Sequence, residues 1–266
     1  MGKAAISLVL LAAFAQAQSG GQTGPYRGPR TADGKPDLSG IWQSLNTANW
    51  DLLAHAARAG QVIALGAEGA EPAGTGVVEG NQIPYLPAAL AKKQQNFEHR
   101  LTEDPEIKCY MPGVPRATYM PFPFQIVQGP KMILMAYEFA SASRTVYMEN
   151  PPPIAADSWM GHSVGHWDGD TLVIDVTGFN DQSWFDRAGD FHSDALHVVE
   201  RYTPINADTI RYEATIEDKN VFSRPWKIRM PLYRHVEDNA QLLEFKCVEF
   251  VEELMYGQYR KKQEGK

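Results

Sequence analysis

The chain has 266 residues, with 44% hydrophobic and 21% charged side chains, the composition of a globular protein with a substantial core. Its formal net charge is −7, and Lys and Arg form no cluster, which argues against nucleic acid or an anionic membrane surface as partner. That length suits one large domain, or one domain with an elaborate N-terminal extension.

Residues 1–17 have the order of a secretory signal. Lys3 supplies the basic start, Ala4 to Phe14 the apolar run, and Ala15-Gln16-Ala17 the small-residue cleavage site. As a helix the apolar run would span only ~16 Å, too little to anchor in a bilayer. No Cys follows, so neither a membrane anchor nor a lipid anchor is expected, and the expected location is the periplasm or the exterior. Residues 18–36, rich in Gly, Pro, Ser and Gln, read as a flexible tether before a single β-rich domain over 37–266.

The first part of that domain, 37–123, reads as an extension. Asp37 to Trp42 leads through Gly40 into a first strand. The Ala-rich stretch Thr47 to Ala64, with Trp50, Leu53, Ala57 and Val62 at helical spacing, reads as a helix. Gly66 to Gly80 is loop, and Leu86 to Leu101 is a second helix opened by Pro87. Asp104 to Pro123 carries five prolines and reads as a rigid strap without regular helix. Cys109 lies in it, and a single disulfide to Cys247 is the expectation for an exported chain with two cysteines.

From Phe124 the pattern changes to short apolar bursts: 124–128, 132–140, 145–148, 171–177, 196–203, 209–217, 226–233 and 242–251. Gly129-Pro130, Asp168-Gly169-Asp170 and Asn206-Ala207-Asp208 separate several of them as turns. Eight strands of this spacing predict an antiparallel barrel or sandwich of lipocalin-like type over 124–266. In 196–203 the faces divide into Leu196, Val198, Glu200, Tyr202 and His197, Val199, Arg201. In 171–177 they divide into Leu172, Ile174, Val176 and Val173, Asp175, Thr177. Periodicity alone does not say which face is inside.

The chemistry concentrates in 157–203, which holds four of the seven histidines. His162, His192 and His197 are the candidate acid–base residues, with Asp186 or Asp181 as the orienting carboxylate. Trp159 and Trp184 offer flat walls for a sugar or aromatic ring, and Glu200 and Arg201 are further substrate-binding candidates. His197 and Glu200 fall on opposite strand faces, and Glu200-Arg201 reads equally well as a surface ion pair. His162, His166, His192 and His197 together make a histidine-held metal the rival reading, although no His-Glu-x-x-His is present. Gly161-His162-Ser163-Val164-Gly165 matches the Gly-x-Ser-x-Gly pattern by letter only, because a strand rather than a helix follows it.

The same segment carries a signature: Gly161-His162-Ser163-x-Gly165-x-Trp167-x-Gly169-Asp170-Thr171-Leu172-Val173-x-Asp175-x-x-Gly178-Phe179-Asn180-Asp181, then His192-Ser193-x-x-Leu196-His197-Val198-x-Glu200-Arg201. With the Arg30–Trp42 opening and the Cys109–Arg116 strap, it resembles a large family of uncharacterised exported bacterial proteins. The resemblance covers most of the mature chain and implies no particular reaction. Some relatives carry Arg where His166 stands, which weakens the case for that histidine. The expected function is a cofactor-independent hydrolase or lyase acting on a small polar or aromatic compound by His/Asp acid–base catalysis. The alternatives are a periplasmic small-ligand carrier and a histidine-ligated metal enzyme. The sequence carries no signal for oligomeric state.

Overall fold

The computed structural model describes residues 26–60 and 65–259. The expected signal segment, 1–17, lies outside them. Nine strands close into a barrel in the order β1 (Gly40–Gln43), β11 (Trp226–Arg234), β10 (Thr209–Glu217), β9 (His197–Asn206), β8 (Thr171–Thr177), β7 (His162–Asp168), β6 (Ser143–Tyr147), β5 (Met132–Tyr137) and β4 (Phe124–Gln128). Closure gives every barrel strand a neighbour on both sides. The short strand β1 completes the ring by pairing β11 through Trp42 and Gln43, and β4 through Gly40 to Trp42.

Seven of the eight expected apolar bursts are strands. The eighth, 242–251, is irregular and runs into the short helix α4 (Val251–Tyr256). Its place beside β4 and β11 is already taken by β1. Conversely, β7 is a strand that apolar alternation did not reveal. It points His162, Val164 and the exposed His166 outward, and Ser163 and Gly165 inward. Gly165 is there for space: a Cβ would sit 2.6 Å from Met148 Sδ and 2.7 Å from Val146 Cγ1. The β6–β7 pair is also the exception to the antiparallel rule. It is parallel and joined by the crossover 148–161, with register shown only at Val146–Ser163 and Tyr147–Val164.

Over its described residues, 47–60, the Ala-rich stretch read as a helix is not one, and its last four positions, 61–64, lie outside the described residues. After turns at 46–53, its chain forms β2 (Ala54–His55), which pairs with β3 (Gly74–Thr75). Side chains capture the backbone donors that a helix would need. Asn46 Oδ1 accepts Ala48 N–H, Asp51 Oδ1 accepts Leu53 N–H, and Asp186 Oδ2 accepts Leu52 N–H. The second expected helix is present as α1 (Pro87–Glu98) and α2 (Arg100–Glu103), with Pro87 in the first turn. The strap is mostly irregular but contains one helical turn, α3 (Arg116–Tyr119), a correction to the expectation of none. Arg116 is buried there, held by Asn49 Oδ1, Asp104 and Glu106. Burial opposes ionisation of Glu106, yet Arg187 and Arg116 together bring its carboxyl down to about 2.

Cys109 and Cys247 are joined by a disulfide that ties this strap to the C-terminal segment. From Tyr26 onward, the stretch read as a tether is docked rather than free. Tyr26 is buried, and Arg30 reaches Asp170 in the β7–β8 turn at 2.8 Å. Among the described residues, no helix is long and apolar enough to cross a membrane.

The barrel interior is filled. Val198, Tyr202, Ile210, Tyr212, Ile174 and Leu172 are all inaccessible and pack into one apolar cluster. Alternation then assigns the faces: Glu200 points inward with Val198 and Tyr202, while His197 and Arg201 point out.

Candidate functional site

The structure disperses the residues that the sequence groups. His197 stands on the outer wall, where its Nε2 is 3.0 Å from Asp175 Oδ2 and its Nδ1 3.6 Å from Glu217. Arg201 is also outside, 2.8 Å from Asp168. These are partly exposed cross-strand pairs of small energetic weight. Asp181 is exposed beside Gln182. Trp184 is buried and bridged to Phe191.

Glu200 belongs to a different setting. It is fully buried inside the barrel, and Arg144 binds it in fork geometry at 2.6 and 3.1 Å. The hydroxyls of Tyr202 and Tyr212 donate to its Oε1 at 3.0 and 2.8 Å. Arg144 also donates through Nε to Tyr137 Oη at 2.9 Å. Burial opposes the Arg144 charge, but Glu200 outweighs it and moves the guanidinium well above its ordinary value. Glu200-Arg201 is therefore not an ion pair, since consecutive strand residues face opposite ways.

His192 and Ser183 form a buried pair. The His192 Nδ1–H donates to the Ser193 carbonyl at 2.9 Å, which leaves Nε2 to accept the Ser183 hydroxyl at 2.9 Å. Ser193 is itself fixed, its N–H and hydroxyl both donating to Asp218. Burial pushes the imidazole pKa down, so His192 is held neutral. This is the arrangement of a hydroxyl with an oriented base. It is covered, however: Ser183 is 3% exposed, and Gly113 of the strap packs so closely that a Cβ there would lie 2.3 Å from Ser183 Oγ. Gly113 also has φ +72°, a left-handed conformation that suits glycine.

Asp186 does not orient a histidine. It is inaccessible and lies with Asp51 and Asp190, and burial followed by the Asp190 charge moves its pKa well above the ordinary value.

Among the candidate histidines, His162 lines a cleft. Where β6 and β7 diverge from their two registered pairs, a cleft of about 400 Å³ opens between Ser143–Tyr147 and Ser158–Ser163. His162 and Tyr147 stack along one side, with ring centroids 5.4 Å apart and planes 23° from parallel. Trp159 forms another wall and meets Tyr110 edge-on at 6.0 Å. Its indole N–H is enclosed and has no acceptor among the described residues. Ser143, Thr145 and Ser158 add hydroxyls, and Arg144 borders the cleft from the barrel interior.

Of the proposed acid–base and wall residues, the cleft thus unites His162 and Trp159. It excludes Asp186, His192, His197, Trp184, Asp181 and Arg201 from its lining. The four histidines of the metal reading do not converge, and the one possible ligand cluster among the described residues is built of aspartates. Tyr147, Arg144 and Ser183 were not singled out by sequence. Tyr147 sits in the short burst 145–148 and Arg144 just before it, outside the histidine-rich segment, and nothing local distinguishes them from ordinary barrel residues. No known family model matches the chain, and no curated protein is similar to it.

Proposed function

We propose that this chain is an exported ligand-binding barrel that takes a small aromatic or sugar-type compound in the β6–β7 cleft. The observation that carries this reading is the wall set: Tyr147, His162 and Trp159 present rings around one cleft, with Ser143, Thr145 and Ser158 beside them. Rings supply stacking area at low entropy cost, and hydroxyls supply orientation. Export is supported by the signal-like N-terminus and by a disulfide spanning 138 positions.

A second reading, hydrolysis or elimination by acid–base catalysis, is favoured by the Ser183–His192 hydrogen bond. Binding is preferred because Ser183 is buried at 3% exposure, and because no carboxylate among the described residues lines the cleft beside His162.

One titration tests both, with 4-nitrophenyl β-D-glucoside and 4-nitrophenol as probes. Saturable quenching of tryptophan fluorescence is expected for at least one of them, weakened about tenfold or more in Trp159→Ala and His162→Ala. Unchanged affinity in both variants, or no saturation by either probe, would remove the binding reading. Release of nitrophenolate from the glucoside, lost in Ser183→Ala or His192→Asn, would establish catalysis in its place.

A further inference from the structure

Apart from the cleft, one group of side chains is arranged like ligands. Asp51, Asp186 and Asp190 each bring a carboxylate oxygen to within 4.8 Å of the others, although they come from two distant parts of the chain. Two oxygens on opposite sides of a calcium ion are separated by about 4.6–5.2 Å, twice the usual Ca–O distance. The spacing is one that a single ion of that size can span.

Each carboxylate is aimed by donors on its outer side. Asp186 accepts the N–H groups of Leu52 at 2.9 Å and Asp190 at 3.1 Å. Asp51 accepts Leu53 N–H at 2.9 Å and Arg58 at 3.3 Å. Asp190 Oδ1 accepts the Tyr85 hydroxyl at 2.6 Å. Donors of this kind fix the orientation of metal-binding carboxylates and favour their ionised form.

A second observation points to a missing partner. The Asp190 side chain is 1% exposed, and its enclosed Oδ2 has no hydrogen-bond donor within reach among the described residues. Lys93 Nζ forms a long ion pair with that oxygen at 3.9 Å, beyond hydrogen-bond reach. Arg58 attends Asp51 at the rim, and no ion pair with Asp186 is found among the described residues. Three carboxylates facing one another in a buried space repel unless a cation or a proton joins them. We propose that Asp51, Asp186 and Asp190 form a calcium site, with Tyr85 supporting Asp190 from behind. The site is built wholly of hard oxygen donors, which select calcium over zinc or copper. Asp51, 13% exposed, is its solvent side.

The same cluster joins the loop before β2 to the chain leading into β9, so calcium would hold the N-terminal extension against the barrel. The competing account is a shared proton between Asp186 and Asp190 with no metal.

The test uses the full chain, stripped with EGTA and titrated with CaCl₂ by calorimetry and by terbium luminescence excited through Tyr85. One saturable calcium per chain is expected, with thermal unfolding raised by several degrees at saturation. Asp51→Asn, at the rim and least disruptive to folding, and Asp186→Asn should each weaken binding tenfold or more. No saturation in the wild type at about 10 mM CaCl₂, above the weakest range of protein calcium sites, would overturn the proposal in favour of the shared proton. Binding that survives in both aspartate variants would overturn it by placing the ion elsewhere.

Discussion

Replacing Glu200 by Gln should be among the most damaging single changes in the barrel. The substitution nearly conserves volume but removes the charge, leaving Arg144 buried at 2% side-chain exposure without its counter-ion. Breaking a buried pair from one side costs ~3–5 kcal/mol. The tyrosine hydroxyls that donate to Oε1 at 3.0 and 2.8 Å keep an amide oxygen as neutral acceptor at best, adding ~1 kcal/mol. A loss of ~4–6 kcal/mol is large against the ~5–15 kcal/mol of a typical folded chain. For a chain of this size it corresponds to a fall of roughly 10–20 °C in Tm. Urea unfolding followed by tryptophan fluorescence would measure the loss, with Arg144→Met and the double variant completing a cycle. Removing both charges should recover most of the stability, because an apolar replacement of a buried pair is often neutral. A single-variant cost below ~1 kcal/mol would refute this reasoning, as would a double variant as unstable as the two singles summed. Either result would mean that water or movement already screens the pair.

Two further predictions follow from the same physical description. Replacing both cysteines by serine opens a loop of 138 positions, and the chain-entropy model gives a cost of about 5 kcal/mol, so a measured cost under ~1 kcal/mol would show that the strap and C-terminal segment are held by other contacts. His192, whose pKa is depressed by burial, contributes stability that is complete above its unfolded value of about 6.5 and is lost as pH falls below it, because the unfolded chain binds the proton first. His192→Asn should therefore flatten the wild-type loss between about pH 6.5 and 5, and identical slopes in the two proteins would contradict the neutral buried imidazole.

The fold class was legible because one face of most barrel strands is buried and the other half-exposed. That alternation is visible in 196–203 and 226–233, where inward residues such as Val198 and Ile228 are inaccessible. β7 was not legible as a strand: its inward positions are Ser163 and Gly165, neither of them a large apolar side chain, and Gly165 leaves room for Met148 and Val146. The Ala-rich stretch misled for a related reason. Its helical spacing is real, but its backbone donors are taken by Asn46, Asp51 and Asp186, the last 134 positions from Leu52.

The candidate site was legible only in part. His162 and Trp159 were marked by the density of polar and aromatic residues around them, and they do line one cleft. The same density grouped His162 with His192 and His197, which neighbouring strands and turns send into a buried pair and onto the outer wall. Sequence proximity is a poor guide here because successive strand residues point to opposite faces.

By itself, then, the sequence determined the strand periodicity, the proline strap and the disulfide partners, since these depend on local sterics and on there being only two cysteines. Tertiary structure alone decided that Glu200 meets Arg144, that Asp51 meets Asp186 and Asp190, and that β6 and β7 part to form the cleft. Each of these joins segments separated along the chain and brought together by barrel closure or a crossover, and no local pattern encodes that meeting.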